Sequence, residues 1–315
     1  MKRNVNTKLR SADAQTKRFG LGMLSPTVVI LLIMTAYPLF FTLVYSFTDY
    51  NLLRSLKKGS HFIALQNYTK LLSDPYFQQS ILNTVKFTIL AVIFEMFIGL
   101  VMALFVNSLK RGQKTMRTLL LLPYLLPTVT VALSWRMMLS PNYGIVNQVL
   151  QALHLPVYNW FSDIHTAFGM LVLIDVWQSA PFVFLLLYAA LQSVPQSQYE
   201  AARIDGANRF QCIRHITIPG LMPTYMVMLL MAIAGMLSNG MEQYLVFENP
   251  QNSATIEVLD LYVYHSGIKS GLIPLSTVVG VFKSLIGVLL LFGANGISKG
   301  VRGEVVAVSP AEGKV

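Results

Sequence analysis

The chain has 315 residues, 54% of them hydrophobic and only 12% charged, with a mean hydropathy of +0.55. Soluble domains carry roughly twice that charged fraction, so the composition excludes an ordinary soluble domain and indicates a polytopic membrane protein, which the apolar stretches below make all-α. The net charge of +10 fits loops at anionic headgroups better than nucleic acid. The single cysteine, Cys212, excludes an internal disulfide and a cysteine-based metal cluster.

Residues 1–21 form a basic tail with six Lys/Arg. A helix needs about 20 apolar residues to cross the hydrocarbon, and Gly22–Phe47 is the first stretch to qualify. It far exceeds the apolar core of a signal peptide and follows a long basic tail, so it reads as a start-transfer span. Asn51–Ser80 is mixed in character. Its Phe62, Leu65, Tyr68, Leu71 and Leu72 recur at helical spacing, which predicts an amphipathic helix on the membrane surface. Five more spans follow at Leu82–Ser108, Arg117–Ser140, Thr166–Gln192, Gly220–Gly240 and Leu272–Gly296, giving six in all. The polar residues 301–315 are expected to be a disordered tail.

Charge orients these spans. The N-terminal segment, the second and fourth connections and the C-terminal tail hold sixteen Lys/Arg, whereas the opposite set holds five: Arg54, Lys57, Lys58, Lys70 and Lys269. Both termini and the fourth connection are therefore expected on the cytoplasmic side.

That fourth connection, residues 194–219, is a polar loop between two apolar spans. Ser197-x-x-Glu200 has the form of a capping box, with Pro195 as a competing first-turn residue. Gly206 suits the left-handed residue that ends a first short helix. Asp205 is then placed to cap a second helix over roughly Asn208–His215, which Pro219 stops. Small Ala201, Ala202 and Ala207 permit close approach by another surface, and Arg203, Arg209, Arg214 and His215 form a basic rim. The same residues also describe a self-contained helical hairpin in which Glu200 is only a cap. Capping chemistry leaves docking surface and bland hairpin both open.

The string Tyr199-Glu-Ala-Ala-Arg-Ile-Asp-Gly-Ala207, closed by Ile216 and Pro219, resembles the EAA loop of binding-protein-dependent ABC importer permeases, in the form seen in carbohydrate permeases. Further matches run the length of the chain. Ser25-Pro26 with Tyr37-Pro38, Leu65-Gln66-Asn67-Tyr68 with Asn83-Thr84, Trp135-Arg136 with Gly144-Ile145-Val146-Asn147, and Trp177 through Gln192 resemble the MalF-like branch of sugar permeases, although Gly is the commoner residue before that Asn-Tyr pair. The resemblance implies a type I ABC importer permease fold in a bacterial cytoplasmic (inner) membrane. It also implies a non-catalytic channel subunit that pairs with a paralogous permease. Two cytoplasmic ATPase subunits would bind ATP and Mg, and an external binding protein would deliver an oligosaccharide. The loop then becomes the coupling element, with Glu200, Ala201, Ala202, Arg203, Asp205 and Gly206 as the ATPase-coupling residues. Gly240-Met241-Glu242-Gln243 and Phe282-Lys283-Ser284 resemble the LplB-like branch, where alginate, aldouronate and pectic-fragment importers sit. The resemblance runs nearest to the first permease subunit of a bacterial alginate importer.

A polyuronate needs basic groups along its path, because each carboxylate sheds water and requires a charged partner. Lys86, Arg136 and Lys283 are the candidates, although snorkelling to headgroups is the favoured account of Lys86 and Arg136. Glu95, Asp175 and Lys283 lie deeper, where charge is costly and faces protein or water. They are placed to pair with one another. A neutral sugar instead needs aromatic faces and hydroxyl partners, for which Tyr244, Trp177, Trp135, Tyr188 and Tyr225 are candidates. An ion-coupled secondary transporter with a Glu95–Asp175–Lys283 relay is the alternative, and it leaves the loop unexplained. No Walker-type or H-E-x-x-H motif is present. His61, His154, His165, His215 and His265 lack ligand spacing, so no metal, cofactor or catalytic site is expected in this chain.

Overall fold

The computed structural model describes residues 2–51 and 59–307. Three of the five cations on the lightly charged side, Arg54, Lys57 and Lys58, lie outside that range. Helix α1 (Lys2–Ser46) runs through both the basic segment and the first apolar stretch. Its Gly22–Ser46 portion presents its apolar side chains at the surface, as a lipid-facing helix does. The expected amphipathic helix shrinks to α2 (Gln66–Leu72). Of its proposed apolar face only Leu71 is buried, while Phe62, Leu65 and Leu72 are exposed. Polar tethers hold α2 instead: Asn67 Nδ2 donates to the carbonyls of Ser46 and Thr48, and the Ser46 and Tyr68 hydroxyls bond at 2.9 Å.

The second span, α3 (Pro75–Ser108), starts seven residues before its predicted limit. Asp74 accepts from the Tyr76 N–H at the cap, and Pro75 occupies the first turn, where its missing N–H costs nothing. Next come α4 (Gln113–Leu125), α5 (Thr128–Met138), α6 (Ile145–Ala152) and α7 (Ile164–Leu191). Helices α3 and α7 form the central packed pair. A Cβ on Gly99 would lie 2.5 Å from Val183 Cγ1, so the glycine is what lets the two backbones approach.

The third span is not the single helix predicted over Arg117–Ser140. It is α4 and α5 bent by 91°. Pro127 explains the break, because a residue before proline is driven out of the helical region, and Leu126 sits at ψ 140°. Its freed carbonyl accepts from Gln178 Nε2 at 3.0 Å.

After α7 come α8 (Gln196–Ile204) and α9 (Arg209–Cys212), then a π-helical stretch (Ile213–Thr217) leading directly into α10 (Ile218–Ala234). The fifth span ends at Ala234 instead of Gly240. The chain then turns through Gly235–Met241 into short α11 (Glu242–Phe247), α12 (Ser253–Ile256) and α13 (Leu259–Val263), with a second π-helical stretch (Tyr264–Lys269). Helix α14 (Ile273–Ala307) closes the fold and carries helix past the boundary placed at residue 300. Residues 308–315 lie outside the described range. Among the described residues five helices are long and apolar enough to span a membrane, and the bent α4–α5 pair, counted as one span, makes a sixth.

Candidate functional site

The loop between α7 and α10 projects from the bundle. Glu200, Ala201, Arg203, Asp205 and Gly206 are exposed, and Ala202 is half-buried. Helix α8 begins after Pro195 with no side-chain cap bond, so the Ser197–Glu200 capping box is not formed and Glu200 is not engaged as a cap. The helix ends as a Schellman motif. The N–H of Ala207 donates to Ala202 O at 2.8 Å and that of Gly206 to Arg203 O at 3.1 Å, with Gly206 at φ +80°. Small residues at Ala202 and Ala207 meet across this turn. Asp205 is the C-terminal cap of α8 and does not start the next helix. That role falls to Asn208, whose side chain accepts from the Gln211 N–H at 2.9 Å while Gln211 Oε1 accepts from the Asn208 N–H at 2.8 Å. The sequence signal was present as N-x-x-Q, the amide counterpart of the capping box expected at Ser197.

Pro219 does not stop the second helix. Proline lacks an N–H and its ring crowds the carbonyl four residues back. The π-helical stretch before it widens the turn, as the Ile218 N–H bonding to Ile213 O shows. The Tyr199 hydroxyl bonds Thr217 Oγ1 at 3.0 Å, tying α8 to this wide turn. A Cβ on Gly220 would meet Val194 Cγ2 at 2.9 Å, so the loop's entry lies against the start of α10. Loop, π-turn and span are therefore mechanically continuous.

A second polar region lies where α10 breaks before α11. A cavity of about 260 Å³ is lined there by Thr88, Glu95, Asp175, Ser238 and Asn239. The Glu95 and Asp175 side chains face this cavity together. Thr88 Oγ1 lies 2.9 Å from Met236 O and 3.0 Å from Asn239 Oδ1. Asn239 Nδ2 and the Tyr244 hydroxyl are buried and have no hydrogen-bond partner among the described residues, which is unusual for interior polar atoms. Lys283 is not part of this pair. It forms an ion pair with Asp260, whose other oxygen accepts from the Gly240 N–H at 3.0 Å. The three-residue relay of the secondary-transporter reading is therefore absent, and Lys283 is already neutralised. Asp260, Thr88 and Asn239 escaped sequence reasoning. The available signal was the Asn239-Gly240 interruption of an apolar run, the pattern expected where a discontinuous membrane helix lines a binding site.

The remaining candidates scatter. Tyr244 packs edge-on to Phe87 in the core. Trp177 and Trp135 form an edge-to-face pair beside an apolar groove. Lys86 is exposed on α3. Arg136 is exposed, donates to Val246 O at 2.9 Å and lines a separate polar cavity of about 260 Å³ with Asn142, Asn159 and Glu248. Tyr188 is structural: its hydroxyl donates to Gln113 Oε1 and Arg117 lies over its ring. Among the described residues no group of His, Cys, Asp and Glu has metal-binding geometry.

Residues 95–303 match the family model described as "Binding-protein-dependent transport system inner membrane component". The chain is 30% identical over 280 residues to Protein LplB of Bacillus subtilis, covering 88% of this chain and 87% of that one. It is 34% identical over 232 residues to the trehalose/maltose transport system permease protein MalF of Thermococcus litoralis, covering 73% and 76%. Among solved structures, a chain of a bacterial ABC transporter that imports the acidic polysaccharide alginate superimposes with a TM-score of 0.83 at 25% identity, covering 92% of this chain and 98% of that one. The chain belongs to the binding-protein-dependent transport family of inner-membrane components, and its fold is that of a type I ABC importer permease.

Proposed function

We propose that this inner-membrane chain is one permease subunit of an ATP-driven, binding-protein-dependent importer of oligosaccharides or polysaccharide fragments. The observation that carries the mechanism is the exposed α8–Gly206–α9 loop, continuous through the π-turn with α10. A push on that loop reaches the broken end of α10, where the polar cavity lies, without an intervening flexible hinge. In this reading the loop and both termini face the cytoplasm, two ATPase subunits receive the loop, and a paralogous permease completes the channel. Glu200, Ala201, Ala202, Arg203, Asp205 and Gly206 form the contact surface. Nucleotide-driven closure of the ATPases moves the spans as rigid bodies between inward- and outward-facing states.

The substrate path runs through the cavity at the α10–α11 break, where Asp175 and Asn239 offer hydrogen bonds to hydroxyls and Tyr244 lies behind. The substrates named for the relatives, from trehalose and maltose to alginate, support a saccharide. Arg136, at the other polar cavity, is the basic candidate for an acidic one. The test is reconstitution with the co-purifying subunits and comparison of Glu200→Ala with the unaltered chain. Transport should be lost with membrane insertion intact, and normal substrate-stimulated ATP hydrolysis in that variant would sink the coupling role.

A further inference from the structure

The loop bears two large apolar side chains that the bundle does not cover. Ile204, the last residue of α8, is 86% exposed, and Phe210, in the first turn of α9, is 69% exposed. On the long helices such exposure faces lipid. Here Arg203, Asp205, Asn208 and Arg209 flank the two residues, and side chains of that kind resist entry into hydrocarbon. Apolar exposure amid charge is the composition of a docking patch, with large anchors at the centre and polar groups at the rim. Beside the anchors lies a cavity of about 280 Å³, edged by Ala202, Gly206, Ala207, Cys212 and His215. The rim is also unspent: among the described residues Arg203, Arg209 and Arg214 make no ion pair.

We propose that Ile204 and Phe210 are the apolar anchors through which this loop docks, seating in an apolar socket with an acidic rim on the partner ATPase, while a side chain of that partner enters the adjoining notch. The proposal rests on the reading of the loop as ATPase-docking and adds which residues hold the partner and what chemistry the partner surface must have. Gly206 and the Asn208–Gln211 box give the two anchors fixed positions on either side of one turn. Little conformational freedom is then lost on docking, the condition under which a small patch binds well. Arg203, Arg209 and Arg214 bring long-range attraction and orientation to an acidic rim, an effect that salt weakens.

The experiment uses the full assembly purified from its native membrane, stripped of its ATPase subunits and recombined with them. Ile204→Ser and Phe210→Ser should each raise the half-saturating ATPase concentration tenfold or more, while Ile204→Val and Phe210→Leu stay close to the unaltered chain. Added salt should weaken recombination, and Arg209→Glu should remove most of that dependence. If both serine variants recombine within twofold of the unaltered chain while Ala201→Trp, a steric block at an exposed position of α8, releases the ATPase, the anchors are wrong and the docking reading stands. If Ala201→Trp recombines normally as well, the docking reading falls with them. A nitroxide at Arg209→Cys, beside the Phe210 anchor, in a Cys212→Ser background, distinguishes a membrane anchor. Oxygen accessibility typical of lipid in the assembled complex would overturn the proposal, and loss of all collision accessibility on adding ATPase is the expected result.

Discussion

Gly206 isolates the geometry of the coupling loop from its chemistry. It sits at φ +80°, and no atom lies within 4 Å of the place a Cβ would occupy. Gly206→Ala therefore meets no neighbour, and its whole cost is that of holding an L-residue in the left-handed region, about 1–2 kcal/mol. That cost falls on the Schellman turn alone and lowers the docking-competent fraction of the loop. Apparent affinity drops in proportion to that fraction, so the half-saturating ATPase concentration should rise, by at most roughly 5- to 30-fold. Gly206→Asn should rise less, because asparagine visits this region more readily. The assay is substrate-stimulated ATP hydrolysis in proteoliposomes, titrated with ATPase subunits, with insertion checked by yield and thermal unfolding. Maximal hydrolysis should return at high ATPase concentration in both variants. Equal titration curves for Ala, Asn and Gly would refute the claim that the left-handed turn presents the docking surface. So would a loss in the Ala variant that no ATPase concentration restores.

The spans and the loop were legible in the sequence because each rests on a local rule. Length and apolarity gave six crossings, and Gly206 read as a helix terminator because few other residues tolerate its φ. The misreadings have equally local causes. Two capping chemistries competed within fifteen residues, and Pro195 defeated Ser197 while Asn208 took the cap assigned to Asp205. Pro127 was visible, yet a proline inside an apolar run is compatible with a kinked span as well as a 91° break, and the Gln178 side chain that satisfies the freed Leu126 carbonyl lies 52 residues away in the chain. The same holds for Pro219, which the π-turn accommodates. Least legible was the polar cavity, since Thr88 and Glu95 come from α3, Asp175 from α7 and Asn239 from the turn after α10, and they meet only in the folded bundle. Lys283 shows the limit most clearly: its charge was readable, but Asp260, 23 residues away, was not identifiable as its partner.

Three further predictions concern packing, pH and charge. Gly99→Ala drives a Cβ to 2.5 Å from Val183 Cγ1 and should destabilise the α3–α7 pair by about 1–3 kcal/mol, read as a lower unfolding temperature that Val183→Ala partly restores. Burial pushes the Glu257 carboxyl up from 4.5, with His265 offsetting part of the rise. A raised acid favours the folded state below its ordinary pKa and loses that contribution as pH climbs through the raised value. Thermal unfolding of Glu257→Gln should therefore match the unaltered chain in acid and gain on it as pH rises above 4.5; a gap that widens toward acid would refute the burial assignment. The last concerns Lys283, whose side chain and that of Asp260 are only 16% and 23% exposed. Lys283→Met leaves a mostly buried carboxylate unmatched, at a cost of about 3 kcal/mol or less, the lower end of the range for breaking buried pairs. Asp260→Asn added to it removes the orphaned charge while keeping an acceptor for the Gly240 N–H, so the double variant should recover most of the lost unfolding temperature. Because the lysine's charge is matched in place, the single variant should impair acidic and neutral oligosaccharides alike, whereas Arg136→Met, with a carbonyl as its hydrogen-bond partner, should impair the acidic ones more. An acid-selective loss in Lys283→Met at unchanged thermal stability would show instead that the ion pair opens to serve the substrate.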